Sequence, residues 1–391
     1  MKKVLLWILM LSMVVCCLSA CASEEPVTTE TPALSTEKTE PTALSTEEVT
    51  PSYKVAMITD SSDITDGAYN QVTFEAGRDW CWEYNIPYTY YKPTEYSTAE
   101  RIASMEQAIE EGANVLLLPG YAFGDAIAEI AEAYPQIYFI ALDVGPGDFG
   151  DYTLPANVFS TVYQEEVAGF LAGYAAVKLG YRNLGFDGVM PVPGVIRYGY
   201  GFIQGADYAA EQLGAQISLK YAYGPMCDCS GEEHEYADIW FQEGTEVIFY
   251  CGNRLYLEPQ DIDKSYDRKI IAADVDQSKL IDAHYGEGTA LTTATKNLSA
   301  TVSWALSELI LEGNWENMGG TLSTLGLVSS TEPEKNHVIL PDNTQWSNDF
   351  TKADYAAVVE DILSGAVTVD SSIEQIPGAP NVTVTDLGYL N

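Results

Sequence analysis

The chain has 391 residues, 57 acidic and 19 basic, for a formal net charge of −38. A surface this acidic repels phosphate backbones and anionic headgroups, which argues against a nucleic-acid partner and a phosphate-rich ligand, and no Lys/Arg cluster offsets it. At 47% hydrophobic residues the chain can bury a large core, and it is long enough for two lobes.

The first segment, residues 1–20, has the layout of a secretory signal. Lys2 and Lys3 precede an apolar stretch from Val4 to Val15, too short to span a bilayer comfortably, and Leu18-Ser19-Ala20 leads into Cys21. A Cys directly after small residues predicts cleavage before Cys21 and a lipid anchor on it, which places the mature protein on the extracytoplasmic face of a bacterial cell membrane. Residues 21–52 hold no aromatic residue, are dominated by Ser, Thr, Glu and Pro, and repeat Ala33-Leu34-Ser35-Thr36-Glu37 as Ala43-Leu44-Ser45-Thr46-Glu47. Such a segment buries too little apolar surface to offset its ordering entropy, so it reads as a disordered stalk.

From Tyr53 onward strand and helix patterns alternate. Strands are expected at 54–59, 86–91, 115–118 and 137–142, with helices at 66–84, 98–111 and 125–134 between them. The rhythm restarts with helices at 165–179, 200–213 and 237–242 and strands at 183–186, 216–221, 247–250 and 270–273. That is the pattern of two α/β units with parallel sheets. Ligands of such sheets bind beyond the carboxyl ends of the strands. Collected there are Asp60, Asp143 and Asp274, with Cys251 and Gly252 after another strand. Any one of these acids suits a turn. Together they imply a cleft rich in hydrogen-bond acceptors, suited to a polyhydroxylated ligand.

Enzyme signatures are missing. There is no Gly-x-Ser-x-Gly, His-Glu-x-x-His or phosphate-cradling loop. Gly145-Pro146-Gly147-Asp148-Phe149-Gly150 fits a dinucleotide pattern, but it contains a proline, carries an acid where pyrophosphate would lie, and opens no clear helix. Cys227-Asp228-Cys229 with His234 lacks the second pair of a metal site. A loop disulfide, for instance from Cys251 to one of that pair, suits an exported protein better, and free thiols are also compatible. The expectation is a non-enzymatic protein with no metal and no cofactor.

Several runs, in order, carry a family resemblance. They are Ile58-Thr59-Asp60 with Asp66-Gly67-Ala68-Tyr69-Asn70-Gln71, then Leu118-Pro119-Gly120-Tyr121, then Glu165-Glu166-Val167-Ala168-Gly169, then Arg197-Tyr198-Gly199-Tyr200-Gly201-Phe202, then Asp274-Val275-Asp276-Gln277, and finally Thr293-Ala294-Thr295-Lys296-Asn297. Together these resemble the basic membrane protein, or PnrA-like, family of nucleoside-binding lipoproteins of ABC importers. The resemblance implies a type I periplasmic-binding-protein fold: two doubly wound parallel-sheet lobes joined by a three-segment hinge. The expected division is 53–150 plus 288–323 for lobe 1 and 151–287 plus 324–391 for lobe 2, with crossings near 143–157, 274–289 and 319–328. It further implies a ligand site. Tyr69 and Tyr198, where the family has Phe, would sandwich a base. Asp60, Asn70 and Asp143 would read polar edges, Asp274 would accept from ribose hydroxyls, Lys296 would donate to the ligand, and the Gly252 backbone would approach it. The implied partners are a nucleoside, purine favoured, and the permease subunits of a transporter, for a monomer tethered through Cys21. A receptor of the same fold for another polar metabolite such as a sugar, or a ligand-sensing lipoprotein, fits the same residues.

Overall fold

In the computed structural model, residues 53–224, 235–252 and 268–390 are described. The expected signal, stalk and anchor Cys21, and the Cys227–Cys229–His234 group, lie outside them. Short, largely apolar runs become strands, buried on both faces where helices cover the parallel sheet and only half-buried in the edge strand Tyr88–Tyr91. They are β1 (Val55–Ile58), β2 (Tyr88–Tyr91), β3 (Val115–Pro119), β4 (Tyr138–Leu142) and β5 (Val158–Tyr163). Between them run α1 (Tyr69–Glu83), α2 (Thr98–Glu110) and α3 (Gly124–Ile130). The α2 start is set by Ser97, whose hydroxyl accepts from the Glu100 amide. The second half holds α4 (Glu165–Lys178), β6 (Asn183–Gly188), α5 (Pro193–Leu213), β7 (Ile217–Tyr223), α6 (Glu235–Gln242), β8 (Val247–Cys251), β9 (Lys269–Asp274), α7 (Ser278–Tyr285) and β10 (Ala290–Lys296). The chain then continues through α8 (Leu298–Ile310), β11 (Thr321–Leu325), β12 (Val338–Ile339), α9 (Lys352–Leu363) and β13 (Val382–Tyr389).

Two sheets result. The first has the order β11-β5-β4-β3-β1-β2 and is parallel throughout. The second has the order β12-β10-β9-β8-β6-β7-β13, parallel except for β12 against β10. Each reverses its winding once, between β1 and β3 and between β6 and β8. Those are the switch points where doubly wound sheets bind ligands.

Strand membership departs from the expected division in two places. Val158–Tyr163, expected in the second lobe, pairs in register with β4 and β11 in the first. Ala290–Lys296, expected in the first lobe, pairs with β9 in the second. Both crossings therefore come one strand later than expected, at Gln164 and at Asn297, and the third runs through residues 326–337. The three segments are stitched together by main-chain bonds. The Gln164 amide donates to the Leu325 carbonyl at 2.9 Å, the His337 amide to Gly326 at 2.9 Å, and the Asn297 amide to His337 at 2.8 Å.

The second lobe is organised by the α4–α5 contact. Nearly every residue of α4 is buried. A Cβ added at Gly169 would lie 2.1 Å from the Tyr198 carbonyl, and one at Gly173 2.1 Å from that of Phe202. In return, a Cβ at Gly201 would lie 2.0 Å from the Glu166 carbonyl, and one at Gly205 1.9 Å from that of Phe170. The glycines let the two backbones touch, which fixes the height of Tyr198 relative to Glu165. Cys81 and Cys251 are buried free thiols, so Cys251 forms none of the disulfides considered above. Among the described residues, no helix is long and apolar enough to cross a membrane. Gly201→Ala should cost at least about 1–3 kcal/mol by overpacking, while Gly147→Ala, where nothing lies within 4 Å, should stay within about 0.5 kcal/mol. Urea unfolding of the two variants checks this.

Candidate ligand-binding site

Five of the eight expected site residues, Tyr69, Asp143, Tyr198, Asp274 and Lys296, meet at one place from both lobes. Tyr69 opens α1, and its hydroxyl donates to Asp143 Oδ2 at 2.8 Å. Asp143 follows β4, and Asp274 ends β9. Both hold left-handed backbones, with φ of 61° and 70°. That conformation is uncommon for a residue with a Cβ, though Asp tolerates it better than most, and it aims both carboxylates off their strand ends. Lys296, the last residue of β10, reaches between them. Its Nζ lies 2.8 Å from Asp143 Oδ2, 3.3 Å from Asp274 Oδ1 and 3.3 Å from Glu165 Oε1. The Tyr198 hydroxyl donates to Asp274 Oδ1 at 3.3 Å. Lys296 Nζ also stands 5.7 Å from the ring centroids of Tyr163 and Tyr198.

The ammonium is buried and the aspartates less so: Lys296 is 7% and Tyr198 2% exposed, while the Asp143 and Asp274 side chains keep 19% and 30%. Burial works to lower the Lys296 pKa, but Asp143, Tyr69, Asp274 and Glu165 outweigh it and hold the ammonium well above its ordinary value. Burial, then the Asp143 charge, raises Tyr69, and burial, then Asp274, raises Tyr198, so both phenols keep their protons.

Two further residues belong to the network, Glu165 and Arg197. Both stand in family-like runs, but their local sequence shows no partner. Glu165 is 2% exposed and is held by Arg197 Nε at 2.7 Å as well as by Lys296. Arg197 lies 3.8 Å from Glu166. Burial, then the Glu165 charge, pushes the Glu166 carboxyl up to about 6.

Asp60 and Asn70 form an adjoining group. Asn70 Nδ2 donates to Asp60 Oδ1 at 3.1 Å and to Asp66 Oδ2 at 2.8 Å, and its Oδ1 accepts from the Asp60 amide at 3.2 Å. Asp66 also accepts from the amides of Ala68 and Gln71, so it caps the start of α1. Gly252 follows β8 at the carboxyl edge of the second sheet, and the segment after it lies outside the described residues. Within the described residues, no group of three or more His, Cys, Asp and Glu is arranged to hold a metal ion.

Residues 53–330 match the family model for PnrA-like ABC transporter substrate-binding proteins. The chain belongs to that family. It is 25% identical over 240 residues to a protein from Lactococcus lactis described as an ABC transporter nucleoside-binding protein. That match covers 58% of this chain and 65% of the relative, just under two thirds of its length. Basic membrane protein A1 of Borrelia garinii is 25% identical, over 70% of this chain and 77% of its own. An uncharacterised lipoprotein of Pyrococcus horikoshii is 23% identical over 71% of this chain and 67% of its own. Among solved structures, a solute-binding protein of an ABC transporter system from Conexibacter woesei superposes with a TM-score of 0.63 at 21% identity, covering 82% of this chain and 99% of that one. An arabinose-binding protein from Geobacillus stearothermophilus gives 0.55 at 14% identity, covering 78% and 99%. These likenesses establish the periplasmic solute-binding fold.

Removing the ammonium leaves three carboxylates facing one another, with Glu165 buried and the two aspartates partly so. Lys296→Met should lower stability by about 3–5 kcal/mol, and Asp143→Asn added to it should recover part of the loss. Chemical unfolding of the single and double variants measures both.

Proposed function

We propose that this chain is an extracytoplasmic, lipid-anchored substrate-binding protein that captures a nucleoside between its two lobes and presents it to the permease of an ABC importer. The observation that carries the reading is Lys296, which ties Asp143 of the first lobe to Asp274 and Glu165 of the second while Tyr69 and Tyr198 donate into the same carboxylates. A ligand whose hydroxyl and amino groups replace these donors gains contacts from both lobes at once, which is the condition for ligand-driven closure. Stacking on a base falls to Tyr69, and to Tyr198 only once its ring, 2% exposed here, is uncovered. Asp274 supplies charge-assisted acceptors for ribose hydroxyls, and Asp60 an acceptor for polar edges, with Asn70 free to donate only if it gives up its bonds to Asp60 or Asp66. A purine is favoured by this reading, and the role is binding without turnover. Support comes from the family match and from the description of the Lactococcus relative as nucleoside-binding.

Calorimetry on protein stripped of ligand by partial unfolding, with adenosine, guanosine, inosine, uridine and the free bases, tests the reading. Heat with at least one purine nucleoside is expected, and no heat with any of them moves the assignment to another polar metabolite. Asp274→Ala should weaken ribonucleosides by about 1.5–3 kcal/mol, tenfold or more, and free bases far less. Equal losses for base and nucleoside remove the ribose role from Asp274.

The anchor rests on Leu18-Ser19-Ala20-Cys21 and on the lipoprotein description of the Pyrococcus relative. Cys21→Ser should abolish incorporation of labelled lipid and partition into the detergent phase. Unchanged partitioning in that variant would sink the anchoring proposal.

A further inference from the structure

At the switch point of the first sheet, between the ends of β1 and β3, lies a cavity of about 310 Å³ lined by Asp60, Ser62, Tyr96, Pro119, Gly120, Tyr121 and Ala122. Of these, only Asp60 belongs to the site described above. The wall opposite Asp60 is aromatic. Tyr96 and Tyr121 are 57% and 67% exposed, and their hydroxyls meet at 3.4 Å. Exposed phenol rings that flank a concave volume are unlike packing residues, which hide their faces.

The wall is braced from behind. Arg101 is 4% exposed, stacks its guanidinium 4.8 Å from the Tyr96 ring centroid and 5.9 Å from that of Phe123, and donates from Nη1 to the Asp60 carbonyl at 3.3 Å. Its Nε is buried without a partner. The cation thus fixes the Tyr96 ring and the Asp60 segment and is not among the groups that line the cavity. Asp60 Oδ1 is held by the Ser62 amide at 2.7 Å and by Asn70 Nδ2 at 3.1 Å. Gly120, at φ 103°, turns the chain where a Cβ would strain the backbone, and nothing lies within 4 Å of that position.

The lining selects a chemistry. A carboxylate with no cation on the cavity surface repels phosphate and carboxylate ligands. A purely apolar ligand would strip water from the Asp60 carboxylate and the Ser62 hydroxyl and add no donor to the bonds from the Ser62 amide and Asn70. A neutral ring with an aliphatic face and several hydroxyl donors meets both demands: its C–H face lies on the phenols and its hydroxyls donate to Asp60. We propose that this cavity is a saccharide subsite, separate from the Lys296 cluster and recognising an uncharged, hydroxylated ring through Tyr96, Tyr121 and Asp60.

The test is titration of D-ribose, D-galactose and D-glucose into wild type, Tyr121→Phe and Tyr121→Ala, followed by calorimetry and by the thermal midpoint, with adenosine run in parallel. Tyr121 is largely exposed, so the variants should fold, and an unchanged midpoint without sugar confirms it. At least one aldose should bind wild type, Tyr121→Phe should retain it, and Tyr121→Ala should weaken it about tenfold or more, while adenosine binding stays unchanged. The proposal is overturned if none of the three sugars binds, or if Tyr121→Ala binds sugar as well as wild type does. It is also overturned if Tyr121→Ala weakens adenosine and no sugar binds, which would make the two phenols a platform for a base. Sugar binding without nucleoside binding would uphold this subsite and remove the nucleoside reading, and the converse would remove this subsite alone.

Discussion

The ammonium of Lys296 is the point on which the two halves of the molecule depend. Burying a charge is costly unless it is matched, and here one cation meets carboxylates from β4, β9 and α4. Lys296 and Glu165 are buried and tolerable because the other charges are there, while Asp143 and Asp274 keep part of their solvent. The arrangement is also placed where it has mechanical leverage. Lys296 immediately precedes the crossing at Asn297, and Glu165 immediately follows the crossing at Gln164. The main-chain bonds that stitch the crossings lie one residue from the ions that face the cleft. A change in the charge balance at the centre is therefore felt next to the segments that join the lobes.

The rest of the architecture delivers side chains to that point. Two sheets of the same winding present their carboxyl ends to one cleft, and each contributes an aspartate on a left-handed residue just at or past a strand end. The small-residue seam between α4 and α5 sets Tyr198 against Glu165 with backbone-to-backbone contact, leaving little freedom to slide. Tertiary packing, rather than any local propensity, determines where the tyrosine hydroxyl lies.

Much of this was legible in the sequence, and the exceptions have a common cause. The strands at 115–118 and 137–142 are continuous apolar runs bounded by turn residues, and Asp143 after the second marks the cleft edge. Tyr69, Tyr198, Asp274 and Lys296 stand in the family-like runs and Asp143 at a strand end, and the five converge. Which sheet a strand joins is another matter. Val158–Tyr163 and Ala290–Lys296 have ordinary strand character, but their partners are set by pairings that local pattern does not carry, so both crossings were placed one strand early. The bond from Lys296 to Glu165 and the brace of Arg101 behind Tyr96 were not visible for the same reason: they are contacts between distant segments, and nothing in either segment names the other.

The left-handed backbones at Asp143 and Asp274 carry a consequence for how such a site diversifies. Few residues with a side chain tolerate those angles, and β-branched or bulky ones are penalised. Glycine fits but leaves Lys296 no side-chain acceptor at that position. Asparagine keeps both the backbone and the reach, and it replaces an acceptor-only group with one that also donates. Aspartate-to-asparagine exchange at these two positions is thus the narrow passage through which ligand preference can drift while the fold stays intact. Descendants of this scaffold that acquire new ligands are expected to keep the strand ends and alter the movable walls around them.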